Sequence, residues 1–334
     1  MSDHAPIPCD VLGCLVAGYE KGGTTLVKDL LRNTGRMRSA FEGGLLLAEH
    51  PADGVPEPYA TQLVQSWELP DDFFDRYRRC ASFADGYRLL REASFIRRKD
   101  LPLIDKTPRY MACLADVLRR APGTPLVLVL RDPLQVTGSW LRLGKTVSDA
   151  AAAIRLSTFG LVAAPPASRA DVYLIQLADV VADPAGTCAR LQAWLGRDHV
   201  PYDATHQLGT APPGEPPPQG VDAARIALER HWSGDELRAI EAELLALVPW
   251  AGVVAKVPSG PLPDVLAVAG EWWDAVASDR AREESRLVEE RERAEKDRVA
   301  AGEAPPAGDM APSSRTAAAS GDAAEGGASG PPAE

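Results

Sequence analysis

The chain has 334 residues, of which 45% are hydrophobic and 25% charged, enough apolar material for a full α/β core in one domain. Its net charge of −11 is uneven, since residues 271–334 carry 15 acids against 8 bases; the rest is only mildly acidic and lacks the dense basic face of a nucleic-acid binder. No apolar run approaches the ~18 residues of a membrane span, and the start Met1-Ser2-Asp3-His4 has no basic n-region, so neither a span nor a signal peptide is expected and the cytoplasm is the expected compartment.

The first element is an apolar run over 11–17 that reads as a strand. It leads into Gly18-Tyr19-Glu20-Lys21-Gly22-Gly23-Thr24-Thr25 and then a helical pattern over 24–33 through Leu26, Val27, Leu30 and Leu31. Strand, glycine turn and helix make a phosphate cradle, because backbone amides converge on an anion and the helix aims its unpaired N–H groups at the same point. Gly18 and Gly23 keep the spacing of the nucleotide-binding pattern G-x-x-x-x-G-K-[ST], but Thr24 stands where the lysine belongs and the cation has moved to Lys21. Such a loop holds a 5′-phosphate without being built to straddle the β- and γ-phosphates of ATP; the alternative is a plain strand-to-helix turn. A short strand is expected near Arg38-Ser39-Ala40-Phe41, and 45–100 reads as mainly helical, most clearly over 71–79 and 87–98. The arginines from Arg76 to Arg98 read as the solvated side of amphipathic helices, with steering of an anionic acceptor as the other possibility.

Further along, the Tyr110, Leu114, Val117, Leu118 stripe marks a core helix, and the wholly apolar run 126–130 marks a buried parallel strand that delivers Arg131 at its carboxyl end. Open α/β sheets bind ligands at that end, where Lys21 and Arg131 both emerge. A helix started by Pro133 sets Ser139 almost two turns in, where its hydroxyl can join Arg131 on a second phosphate. Two phosphate sites suggest a 3′,5′-bisphosphate; pairing of Arg131 with Asp132 or a helix end is the alternative. A last strand over 172–175 precedes Asp183-Pro184, a helix start, and a helix that buries Cys188, Leu191, Trp194 and Leu195. The proline-rich stretch 210–218 reads as a stiff loop, and 226–232 and 235–247 as two further helices.

Residues 279–300 alternate Arg and Glu with no heptad seam, which predicts an exposed charged helix, its start anchored by Trp272 and Trp273. From Gly302 onward Ala, Gly, Pro and Ser predict disorder. The expected organisation is an α/β domain over 1–255, a helical charged extension over 256–301 and a disordered tail over 302–334. Cys9, Cys14, Cys80, Cys113 and Cys188 have neither C-x-x-C nor zinc spacing and read as free thiols, and the five histidines form no ligand pattern, so no protein-bound metal is expected.

The loop YEKGGTTL together with RDPLQVTGSW resembles the two donor-binding motifs of sulfotransferases that use 3′-phosphoadenosine 5′-phosphosulfate (PAPS). Between them, Asp105-Lys106-Thr107-Pro108-Arg109-Tyr110 is similar to the K-T-P-R segment of the tyrosylprotein and glycan-type branch, and 172–196 looks like the family's last core unit, so the resemblance covers about residues 10 to 196. It implies a P-loop-like, doubly wound parallel sheet flanked by helices. It also implies that Lys21, with Gly22, Gly23, Thr24 and Thr25, grips the 5′-phosphosulfate, that Arg131 and Ser139 grip the 3′-phosphate, and that Lys106 contacts the sulfuryl oxygens. Only seven lysines stand against 29 arginines, so two of the seven falling inside matched motifs speaks against accident; pairing of Lys106 with Asp105 is the structural alternative. The same branch places a catalytic glutamate at the end of the strand after the first helix, and Glu42 lies twenty-one residues beyond Lys21 at the expected spacing.

Phe41 and the glycines Gly43 and Gly44 let a substrate come close to Glu42; a surface-turn glutamate is the bland reading, and His50 and Glu20 are rival bases. Two features depart from the family. Leu177-Ala178-Asp179 replaces a tyrosine-glutamate-aspartate run, and the glycine-rich R-K-G segment that covers the 3′-phosphate in the aryl and steroid branch is missing, leaving Arg225 or Arg230 as substitutes. The acceptor is a small-molecule, glycan, glycolipid or peptide-tyrosine hydroxyl, and the sequence does not give the oligomeric state. A metal-dependent P-loop kinase is disfavoured by the missing lysine before Thr25, and a non-catalytic nucleotide-binding scaffold would not need both Glu42 and Lys106.

Overall fold

The computed structural model describes residues 5–34, 36–164, 170–203 and 233–300. The stiff loop at 210–218, the helix at 226–232, Arg225, Arg230 and the tail from Gly302 lie outside them. The centre is a five-stranded sheet of order β2-β1-β3-β4-β5, with β1 Leu12–Gly18, β2 Leu103–Lys106, β3 Leu126–Leu130, β4 Val172–Gln176 and β5 Gly260–Pro261. The first four strands pair in parallel and β5 adds an antiparallel two-residue edge to β4. Proline fits there because an edge strand can spare one N–H donor. Every residue of β1, β2, β3 and β4 is buried, which is why these strands read as continuous apolar runs: helices cover both faces.

The two faces are visible in the alternation of β3. Leu126, Leu128 and Leu130 join the larger core with Trp67, Tyr87, Leu114 and Ile154, while Val127 and Val129 join a smaller core with Val27, Leu30, Leu31 and Leu191. The larger core is roofed by α2 Tyr59–Trp67, α3 Phe73–Tyr77, α4 Phe83–Ala93, α5 Leu114–Arg120, α6 Pro133–Leu141 and α7 Val147–Ala163. The smaller is closed by α1 Thr24–Asn33, α8 Leu177–Ala182 and α9 Pro184–Trp194. Asp183 caps α9 by accepting from the Gly186 amide at 2.8 Å. Further helices run over Gly234–Leu247, Ala251–Val254 and Leu262–Ala300, the last kinked at Ala269, and Trp272 and Trp273 are buried. Contacts divide the chain into two units, Met1–Arg282 and Glu283–Glu334.

Some local expectations shift. The strand expected near Arg38 is one parallel bridge, Arg38 with Leu103. Beyond it the Ala40 carbonyl accepts from the Lys28 ammonium at 3.2 Å. The helix expected over 87–98 runs instead over Phe83–Ala93, since Ser82 caps it through the Asp85 amide at 3.2 Å and the Phe95 amide turns away to the Trp67 carbonyl. The 17-residue helix α7 was not anticipated; it buries polar as well as apolar groups, including Ser157 and Thr158, and so shows no clean amphipathic stripe.

Strand order also decides where a ligand goes. After β1 the chain moves to β2 on one side and then to β3 on the other, so the crossover connections diverge between β1 and β3 and leave a crevice at their carboxyl ends. Those ends are Gly18 and Leu130, the residues before the glycine loop and before Arg131.

Candidate active site

The loop after β1 turns through backbone conformations that only a few residues accept. Gly23 has φ 95°, and a Cβ there would lie 2.6 Å from Leu177 Cδ1, so glycine is required. Lys21 has φ 64°, an unusual conformation for a side chain that has to be held by its surroundings. Arg131 supplies part of that support by donating from Nη1 to the Lys21 carbonyl at 2.8 Å. No side chain caps the start of α1, so its first amides remain available to an anion.

Arg131 also donates from Nη1 to Ser139 Oγ at 3.2 Å and from Nε to Gln135 Oε1 at 3.3 Å. The sequence pairing of Arg131 with Ser139 is thus realised in space, while Asp132 is turned to the Leu134 amide as the cap of α6. A third group converges here that the sequence did not single out: Arg142, three residues beyond Ser139, donates from Nη2 to Ser139 Oγ at 2.6 Å. The signal was its place on the same helix face. Burial, and then the charge of Arg142, push the Arg131 guanidinium down to about 10, against the opposing pull of Asp132. Two guanidinium groups thus meet on one hydroxyl, an arrangement suited to charge-assisted hydrogen bonds.

On the other side of the crevice, a cavity of about 560 Å³ is lined by residues of the glycine loop (Glu20, Lys21, Gly23, Thr24, Thr25), by Phe41, Glu42 and Lys106, and by Pro58, Tyr59, Gln62 and Pro108. Lys106 ends β2 and is 1% exposed. Its Nζ donates to Glu42 Oε1 at 2.7 Å and lies 4.2 Å from the centroid of the Phe41 ring. The partner of Lys106 is therefore Glu42 rather than Asp105. Glu42 keeps 15% of its side chain exposed, open to the cavity rather than on a free surface turn. The structure thus brings Lys21, Glu42 and Lys106 to one cavity, and Arg131 and Ser139 together beside the Lys21 carbonyl.

The rival bases separate. His50 caps the turn Pro51–Asp53 and does not line the cavity. Glu20 does line it; burial pushes its carboxyl up, Glu42 adds to this, and Arg109 and Lys21 oppose it. Burial, followed by the charges of Glu42 and Glu20, also pushes the Tyr59 phenol up, so it remains a donor. Asp179 accepts from Ser259 Oγ at 2.6 Å, and Ser259 Oγ in turn accepts from the Gln176 amide at 2.8 Å, which ties the end of β4 to the segment before β5. Among the described residues no cluster of His, Cys, Asp and Glu is arranged to hold a metal ion, and no helix is long and apolar enough to cross a membrane.

A glycine turn and an arginine–serine pair thus stand at the switch point of a parallel sheet, where open α/β sheets take their ligands. The profile of the sulfotransferase family matches residues 14–201, and the chain belongs to that family. It is 31% identical over 142 residues to the nodulation protein NoeE of Sinorhizobium fredii, a match that covers 41% of this chain and 32% of that protein; the chain thus spans about a third of the length of this relative. Among solved structures it is similar to the sulfotransferase domain of the Synechococcus PCC 7002 olefin synthase, with 18% identity, 60% of this chain and 76% of that chain covered and a TM-score of 0.46. A sulfotransferase domain from the curacin biosynthetic pathway gives 15% identity, coverage of 72% and 98% and a TM-score of 0.48.

Proposed function

We propose that the chain transfers a sulfuryl group from PAPS to a hydroxyl of an acceptor, with Glu42 as the base. The observation that carries this reading is the Lys106–Glu42 pair at 2.7 Å, inside the cavity that also holds Lys21. In the reaction the acceptor oxygen attacks sulfur, its proton passes to Glu42, and the bond from sulfur to the 5′-phosphate oxygen breaks. The electron pair left on that oxygen is stabilised by Lys21 and by the amides that open α1. An ammonium has three donors, so Lys106 can keep Glu42 in place with one and meet the developing charge on the sulfuryl oxygens with another. Arg131, Ser139 and Arg142 hold the 3′-phosphate. A sulfuryl group carries less charge than a γ-phosphoryl, so these cations and amides can do what magnesium does in kinases.

The acceptor is a hydroxyl on a glycan, glycolipid, small metabolite or peptide tyrosine, received in the cavity that Phe41 and Tyr59 help to line, and the dispersed free cysteines suit work in the reducing cytoplasm. The test is turnover. Glu42→Gln lowers kcat on the order of a hundredfold or more with donor affinity unchanged; Lys106→Ala does the same, and Lys21→Ala damages both. Near-normal turnover of a natively melting Glu42→Gln protein removes Glu42 from the mechanism.

A further inference from the structure

Asp105 is 1% exposed, and no ion pair is formed by it among the described residues. Its carboxylate nevertheless gathers four hydrogen bonds. Oδ2 accepts from Tyr87 at 2.5 Å and from Tyr110 at 2.7 Å, and Oδ1 accepts from Thr107 Oγ1 at 2.8 Å and from the Gly43 amide at 3.1 Å. Burial first, and then the charge of Asp105, push both phenols well up, so they remain donors. A buried charge that is not paired with a cation is costly unless its oxygens are filled, and here the filling groups are not a random set.

They converge on the five residues that follow Phe41. The Gly43 amide meets Asp105 directly. The Gly44 amide donates to Thr107 Oγ1 at 3.0 Å, and the Leu46 amide donates to Tyr110 Oη at 3.1 Å, so each reaches Asp105 through a single, separate hydroxyl. A Cβ on residue 43 would lie 2.7 Å from the Asp105 carboxyl atoms, so glycine is what allows this approach. The Glu42 carbonyl is fixed from outside by Trp67 Nε1 at 3.3 Å. Asp105 also precedes Lys106 in β2. One carboxylate therefore sets the backbone on which Glu42 stands and is chained to the residue that Glu42 pairs with.

We infer that Asp105 is a positioning residue, whose buried carboxylate holds the Gly43–Gly44–Leu46 amides so that Glu42 meets Lys106 and the acceptor in register. The inference rests on the reading of Glu42 as base. A displacement of about 1 Å at a reacting group can cost on the order of a hundredfold, so Asp105→Asn, which keeps the volume but presents an NH2 where one pair of donors must go, lowers kcat on the order of ten- to a hundredfold. KM for donor changes little, because neither phosphate site includes these groups.

The decisive measurement is a double-mutant cycle on kcat. If Asp105 acts through Glu42, the Asp105→Asn loss shrinks to within about twofold in a Glu42→Gln background. An undiminished loss in that background, or full kcat in the single variant, overturns the proposal. Should Asp105→Asn melt early, Thr107→Val and Thr107→Ser decide: valine removes the Gly44 link and lowers kcat, serine restores it, and full activity of the valine variant is the contrary result. The indole N–H resonance of Trp67, assigned with Trp67→Phe, reports the backbone at Glu42 without any turnover. It shifts in Asp105→Asn and Thr107→Val but not in Thr107→Ser. If Glu42→Gln alone proves active, the functional reading fails, while the indole resonance still shows whether Asp105 holds the loop; an unmoved resonance in Asp105→Asn sinks the positioning role by itself.

Discussion

Arg131→Gln separates two jobs that the structure gives to one side chain. Its Nη1 reaches Ser139 Oγ, in the proposed 3′-phosphate site, and the Lys21 carbonyl, in the glycine turn. Hydrogen bonds from a charged group to an anion contribute about 1.5–3 kcal/mol each, and Ser139 and Arg142 remain in the variant. The expected loss toward adenosine 3′,5′-bisphosphate is about 2–3 kcal/mol, or ~30- to ~150-fold in Kd. Adenosine 5′-monophosphate has no 3′-phosphate to lose. It feels only the missing prop under Lys21, a single bond to a neutral carbonyl, for about 1 kcal/mol or ~5-fold. Isothermal titration of both ligands against both proteins, with melting curves to confirm the fold, gives the four constants. The preference for the bisphosphate should collapse. An equal factor of loss for the two ligands would mean that Arg131 supports the cradle and does not read a 3′-phosphate, and no loss for either would remove it from the site.

Further outcomes follow from the same geometry. Glu49 sits between Arg119 and the buried Arg120; burial alone would raise its carboxyl, but the two arginines outweigh that and bring it from 4.5 down to about 2. A lowered carboxyl stabilises the fold above its unfolded value and loses that contribution as pH falls toward 2. Glu49→Gln therefore costs about 1 kcal/mol at pH 7, discounted for its partial exposure, and denaturant melts of the two proteins converge between pH 4.5 and 2; a gap that widens on acidification contradicts the assignment. Cutting the chain after Ala301 leaves melting temperature and donor binding unchanged, whereas cutting before Glu271 removes Trp272, Trp273 and Val276, which are 7%, 5% and 0% exposed, and destabilises the fold by more than about 3 kcal/mol. Loss of transfer with unchanged stability in the shorter deletion would show that the tail recruits an acceptor.

Much of the proposed donor side was legible because its physics is local. Strands buried on both faces must be apolar throughout, so β1, β3 and β4 stand out as runs, and the glycine turn and Asp183-Pro184 mark helix starts within a few residues of sequence. The arginine–serine pair is also local, since both residues belong to one strand-to-helix unit. The acceptor side is different. Glu42 and Lys106 lie sixty-four residues apart and meet only because β2 pairs with β1 and the chain after α1 bridges onto β2 at Arg38. Asp105 was legible only as a neighbour of Lys106, because its donors come from positions 43, 87, 107 and 110, and no window of sequence contains them. Helix α7 escaped for a related reason: it packs against α5, α6 and the turn Pro108–Cys113, and its Thr158 hydroxyl bonds the buried Tyr19 at 2.7 Å, so polar side chains fall on its buried side.

The donor is the centre of the account, and thermal stability measures it without knowledge of the acceptor. A ligand that binds only the folded chain stabilises it by RT ln(1 + [L]/Kd), about 2.7 kcal/mol at a hundredfold excess over Kd. Titrated in the presence of a chelator, adenosine 3′,5′-bisphosphate should raise the melting temperature clearly more than ATP with magnesium does at the same concentration. Equal or greater stabilisation by magnesium-ATP would contradict the proposed pair of phosphate sites and return the chain to nucleotide chemistry of another kind.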